Sequence, residues 1–184
     1  MTRIKLITEK ADVEAERQGE IDAILATLGH LGGPFAVLMH SPGLAQKVME
    51  AGAHVRLQST LERWQRELAI LTVAVGKHSD FEWASHVELA RKAGVAEPVI
   101  GAVRGGGDPA AAGASADEAD IVTYVRQLVA DNQVGQPVYD RLVERHGERW
   151  LVELTATVGQ YQYIACVLGA FEVQPGPGRE RIAG

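Results

Sequence analysis

Three ionisable side chains stand where the surrounding sequence otherwise reads as core. Glu67 opens the run 68–75, which is apolar apart from Thr72. A helix of that composition is buried nearly all round, so a carboxylate at its edge must be paired or used. After a break at Gly76, a second helix beginning near Ser79 and Asp80 carries Glu82 and His86 four residues apart. One helical turn separates them, so both emerge on one face. Trp83, Ala90 and Ala93 share that face, while Glu88, Arg91 and Lys92 mark the wet side; His86 is expected to point inward, with Glu82 at the border. Proton transfer near neutral pH suits an imidazole directly and a half-buried glutamate through desolvation. Glu67, Glu82 and His86 therefore form the candidate catalytic set, one carboxylate orienting the imidazole and the other acting as second acid or base. The plainer alternative is a buried Glu–His hydrogen bond that only satisfies polar groups in the core.

Other residues could line the same pocket. His78 lies just ahead of the second helix and either faces the pocket mouth or sits in a solvated loop; Ser79 beside it is a further candidate for the pocket lining, and Trp83 would be a pocket wall or an interface plug. Tyr161 and Tyr163 lie in the apolar C-terminal helix, where one hydroxyl could reach the pocket. Cys166, in that helix too, reads as an inert buried thiol rather than a nucleophile. A carboxylate–histidine metal site from Glu67, His78, Glu82 and His86 is conceivable, but there is no HExxH, no second Glu-x-x-His and no cysteine ligand set, so no metal is expected.

The elements that must position these groups are helical throughout. Short helices are expected over 20–28 and 35–40, the first closed by Gly29. Ser41 and Pro42 start a longer one to Leu57, with Leu44, Val48, Ala51 and Val55 as its buried stripe. The next begins around Ser59 and Thr60 and runs through Glu67. Beyond Gly94 a short helix covers 97–103, and residues 104–118, rich in Gly, Ala, Asp and Pro, read as a flexible linker. Helical period resumes over 119–174, and the tail after Pro175 looks disordered. Residues 1–20 read as an arm packed on the body or on a neighbour. With no strand pattern and 5% aromatic residues, the 184-residue chain is expected to be one all-α domain. The motif RWxxEL occurs at Arg63 and again at Arg149, suggesting two related helical halves.

Composition limits the function classes. A net charge of −6 with scattered Lys and Arg gives no footprint for nucleic acid. No apolar run approaches the ~18 residues of a membrane span. One cysteine and no apolar leader fit a reducing cytoplasm.

RELAIL from Arg66, FEWASH from Phe81, and His86, Ala90 and Gly94 in H-x-x-x-A-x-x-x-G together resemble the carboxymuconolactone decarboxylase and alkylhydroperoxidase-D-like family. The resemblance covers residues 35–103 most strongly, and ELTATVGQYQY is similar to the C-terminal helices of longer members with an E-W-x-x-H signature. It implies an alkylhydroperoxidase-D-like helical bundle that assembles with itself as a dimer, trimer or hexamer and acts on a small-molecule substrate. The peroxidase branch has C-x-x-C-x-x-x-H after a glutamate; here those positions fall on Ser79, Glu82, His86 and Glu67. Serine and glutamate cannot cycle between dithiol and disulfide, which argues against peroxidase activity. The decarboxylase branch keeps a carboxylate and a histidine at the last two positions and works without metal or organic cofactor. The resemblance thus implies a cofactor-free acid–base enzyme for a small organic acid or lactone, the alternatives being a thiol redox protein or a non-catalytic oligomeric binder. No arginine in the sequence matches the anion-binding position of the decarboxylases.

Overall fold

Helical period without a strand pattern becomes an all-α architecture. The computed structural model describes residues 2–183, and among them two short 3-10 turns, Lys10–Asp12 and Ala15–Arg17, precede the helices. These are α1 (Gln18–Leu28), α2 (Gly33–Leu38), α3 (Pro42–Leu57), α4 (Arg63–Gly76), α5 (Asp80–Ala93), α6 (Glu97–Arg104), α7 (Ala116–Asp131), α8 (Gln136–His146) and α9 (Glu148–Ala170). No strand occurs among the described residues, and none of the helices is long and apolar enough to cross a membrane.

Helix α4 is enclosed by α5, α6, α7 and α9, as its apolar run requires, with Leu68 to Ala74 all buried. Thr72 satisfies its hydroxyl by donating to the Leu68 carbonyl at 2.8 Å. The helix starts three residues later than Ser59 and Thr60 suggest. Glu62 is its cap residue, and the Gln65 side chain reaches back to accept from the Glu62 N–H at 2.9 Å. A three-residue turn, with His78 in the left-handed region, folds α5 back along α4. Gly94, at φ 98°, closes α5 where a side chain would be strained.

The two RWxxEL segments open α4 and α9, and their residues take different partners. Trp150 donates its indole N–H to Gln65 Oε1 at 3.0 Å, and Glu153 Oε2 accepts from both the N–H and the hydroxyl of Thr60 at 2.6 Å. Glu153 therefore ties α9 to the loop ahead of α4, whereas Glu67 turns towards α5. Helix α9 runs through both apolar clusters, one around α4 and the other formed by Ile7, Ile21, Ile24, Val37, Met39, Met49 and Leu168.

Several sequence expectations need correction. On α3 the buried residues are Pro42, Ala45, Met49 and Val55, while Leu44 and Ala51 are exposed. The inward stripe is displaced by one residue over the first turns, Ala45 and Met49 in place of Leu44 and Val48, and meets the expected one at Val55. Cys166 is exposed, because α9 buries Tyr161, Ile164, Ala165 and Leu168 and turns position 166 outwards. The N-terminal arm, by contrast, takes one of the two placements expected for it, on the body, with the Ile7 N–H donating to the Ala36 carbonyl at 2.9 Å. Helix α7 begins at Ala116 behind a Ser115 capping box, inside the stretch read as linker, and Arg126 donates to the carbonyls of Ala102 and Gly107.

The tail is the largest correction, since its polar composition hides three arginine and carboxylate contacts that fasten it to α5 and α6. Glu180 pairs with Arg91 at 2.8 Å and with Arg104; Arg179 donates to the Ala84 carbonyl at 2.6 Å; Arg181 and the Ile182 N–H both reach Asp80. Partly exposed ion pairs contribute up to about 1 kcal/mol each. Removing residues 175–184 is therefore expected to cost roughly 2 kcal/mol, a fall in Tm of about 4–8 °C. Amide exchange should quicken in the first turns of α5 and stay unchanged in α8; an unaltered Tm would show that the tail contributes nothing.

Candidate functional site

The α4–α5 hairpin brings the three ionisable groups into one line. His86 Nδ1–H donates to Glu67 Oε2 at 2.7 Å, linking two helices across 19 residues of sequence. The Nε2 side of the same ring approaches Glu82 Oε2 at 3.5 Å, along α5 itself. All three side chains are buried, with residue exposures of 3% for Glu67, 4% for Glu82 and 6% for His86. Glu82 is thus inside rather than at the border. Behind this line, Arg66 Nε stands 3.9 Å from the other oxygen of Glu67.

The geometry divides the roles of the carboxylates. A carboxylate only accepts, so Glu67 selects the tautomer that carries hydrogen on Nδ1. Nε2 is then left with its lone pair facing Glu82 and the cavity. Burial holds the Glu82 carboxyl above its usual range, an effect partly offset by His86 whenever that ring is protonated and by the charge of Arg56. In its protonated form, which burial favours, Glu82 is a donor next to a base.

Glu82 and His86 open into a cavity of about 570 Å³ at the junction of the two apolar clusters. Its walls include Phe35, Met49, Phe81 and Ile164, and its polar groups include Arg56, Ser85, Gln160 and Tyr161. Tyr161 stands edge-on to the His86 ring, centroids 5.1 Å apart and planes at 90°. Burial pushes its phenol well above the usual tyrosine range, so it remains an O–H donor. At the mouth, Gly33 adopts φ +53° with the Phe81 ring so close that a β-carbon would lie 2.6 Å from its tip. Only glycine leaves that aromatic wall in place.

Of the residues expected to line the pocket, Tyr161 does so and three do not. His78 and Ser79 border a separate hollow of about 120 Å³ between the α4–α5 turn and the C-terminal end of α9. Trp83 is wholly buried, with the Arg104 guanidinium 4.8 Å above its ring. A residue adjacent to Glu82 is rotated by about 100° around the helix, which carries its side chain away from the cavity. Cys166 does not line the cavity either. Among the described residues no group of three or more His, Cys, Asp and Glu side chains is arranged to hold a metal ion. Arg56 and Gln160 went unread in the sequence, since each sits on a helix outside the motif and only the crossing of α3, α5 and α9 brings them together.

The electrostatics give a pH signature. With its folded pKa above the unfolded value, Glu82 binds more protons in the native state than in the unfolded chain. Its contribution is present below pH 4.5, the ordinary value, and is lost as pH rises through the folded pKa. Glu82→Gln removes that loss. The Tm of the variant minus that of the wild type should therefore climb as pH is raised above 4.5; a difference independent of pH would contradict the burial of an ionisable Glu82.

Comparison with known proteins bears on the same segment. No curated protein matches the chain. Residues 42–124 match the carboxymuconolactone decarboxylase family, a stretch that holds Arg56, Glu67, Glu82 and His86. The mouth residues His30, Gly33 and Phe35 lie ahead of it. A solved structure from Agrobacterium tumefaciens, a protein of unknown function provisionally designated an antioxidant defence protein AhpD, is similar in fold. Its TM-score is 0.61 at 14% identity, with 76% of this chain and 94% of that one covered. At that identity the likeness concerns the fold alone. The chain is thus similar to the carboxymuconolactone decarboxylase family over the helices that bear the site, and it shares its fold with the Agrobacterium tumefaciens protein.

Proposed function

We propose that the protein is an acid–base enzyme of the decarboxylase type that moves a proton on a carbon atom of a small organic acid or lactone. The observation that carries this reading is the Glu67–His86–Glu82 line, anchored at one end in the core and open to the cavity at the other. In the forward step the Nε2 lone pair takes a proton from a carbon next to a carbonyl. The C–H electron pair passes to the carbonyl oxygen, and the Tyr161 O–H and the protonated form of Glu82 that burial favours are the donors within the cavity for the oxyanion. In the return step the imidazolium, its charge offset by Glu67, gives the proton back at carbon. In a decarboxylation Nε2 first takes its proton from solvent, and the same return step then delivers it to the carbanion left when a carboxylate departs as CO2.

A dithiol peroxidase is the weaker reading. Its cycle needs two thiols, and the single cysteine lies exposed on α9 outside the cavity.

The test is incubation in D2O with a panel of γ-lactones and keto acids, followed by NMR for C–H to C–D exchange and for CO2 release. Wild-type protein should exchange or convert at least one compound. His86→Ala and Glu82→Gln should remain folded and slow that reaction by at least about 100-fold. Wild-type rates in both variants would remove the proposal, and binding without exchange would leave a ligand-holding protein that performs no reaction.

A further inference from the structure

The second hollow, between the α4–α5 turn and the end of α9, collects donors that have no acceptor. Ser79 stands at the cap position of α5 with φ −94° and ψ 86°, away from the extended backbone of a working cap, and its hydroxyl makes no hydrogen bond to the helix. Ser115, the cap of α7, has φ −61° and ψ 162°, and its hydroxyl accepts from the Glu118 N–H at 3.2 Å. The residue type is the same, so the backbone makes the difference. Ser79 is only 8% exposed, yet its oxygen is not sealed in the protein and opens onto the hollow that the residue lines. A hydroxyl so placed calls for an acceptor that the chain itself does not supply.

The surroundings decide what kind of acceptor fits. Asp80 and Phe81 also line the hollow, and their backbone N–H groups have no acceptor among the described residues; the positive pole of the 14-residue α5 lies there. Two carboxylates border the hollow, and both are already paired. Asp80 accepts from Arg181 at 3.1 Å and from the Ile182 N–H at 2.9 Å, and Glu172 meets Arg3 at 2.6 Å. Lys77, half-buried in the same lining, has no ion pair among the described residues, so the surplus charge is positive. The volume of about 120 Å³ corresponds to roughly four water molecules, room for one phosphate-sized group but not for a ligand that would fill the larger cavity.

We propose that this hollow binds a small oxyanion of the phosphate type, held by the Ser79 hydroxyl, the N–H groups at the start of α5 and the Lys77 ammonium. Phe81 borders both this hollow and the larger cavity, so a bound anion braces the helical turn that carries Phe81 and, one residue on, Glu82. The site stands or falls without the acid–base reading.

The experiment is a titration of the full chain with sodium phosphate near neutral pH at constant ionic strength, followed by 1H–15N correlation spectra. The amide signals of Ser79, Asp80 and Phe81 should shift and saturate, with a Kd of about 1 mM or tighter. Ser79→Ala should weaken binding at least about 10-fold, as loss of a hydrogen bond to a charged group requires, and Lys77→Gln about 5-fold. Lys92→Gln, at the far end of α5, should change nothing. If Ser79→Ala does not fold, Lys77→Gln against Lys92→Gln decides the matter. Phenyl phosphate as a second probe identifies the source of the group: affinity equal to that of phosphate assigns the hollow to the end of a phosphoester, and affinity at least about 10-fold weaker assigns it to the free ion. Shifts that never saturate, shifts centred on other residues, or affinities in Ser79→Ala and Lys77→Gln equal to that of the wild type would each overturn the proposal.

Discussion

The hydrogen bond between Glu67 and His86 is the constraint on which the site depends. A carboxylate with 3% exposure on a helix enclosed on every side cannot be left without a partner, and the nearest partner of suitable chemistry is an imidazole on the next helix. The bond fixes how α4 and α5 face each other and decides which ring nitrogen carries hydrogen. Everything in the cavity follows from that choice, because it leaves Nε2 turned towards Glu82 and the open space. The echoing residue in α9 shows the contrast. Glu153 accepts both donors of Thr60 and the Arg149 Nε–H, tying α9 to the loop ahead of α4, and it does not line the cavity.

Two opposed electrostatic effects meet at Glu82. Burial favours the neutral acid, while Arg56, and His86 once protonated, favour the carboxylate. A group held between such influences changes charge when a neighbour does, which is the property proton transfer needs. Arg56 is therefore coupled to Glu82 even without contact.

Much of this was legible in the residues. The run after Glu67 could only be a buried helix, and Glu82 and His86 at i and i+4 could only share a face, so the convergence of the three followed from period and hydrophobicity. The division of labour between the carboxylates did not, because it turns on which side of the ring each one meets. His78, Ser79 and Trp83 were misplaced for a simple reason: nearness in sequence to Glu82 was read as nearness to the cavity, whereas each step along a helix turns the side chain by about 100°. Arg56 carried no local signal, being an arginine near the end of an amphipathic helix. The tail was unreadable in a different way, since its Pro, Gly and Arg content fits disorder until Asp80, Arg91 and Arg104 are seen to form a matching surface. Long-range pairing between polar segments leaves no periodicity to detect.

The central claim is that Glu67 holds the proton on Nδ1 of His86 and so frees Nε2 for transfer. Long-range 1H–15N correlation NMR of the imidazole tests it directly. A ring with protonated Nδ1, slow to exchange with solvent, and an Nε2 that alone titrates is the predicted result, with that signature lost in Glu67→Gln. A resting Nε2–H tautomer, or a ring whose nitrogens are the same in Glu67→Gln as in the wild type, would contradict the account.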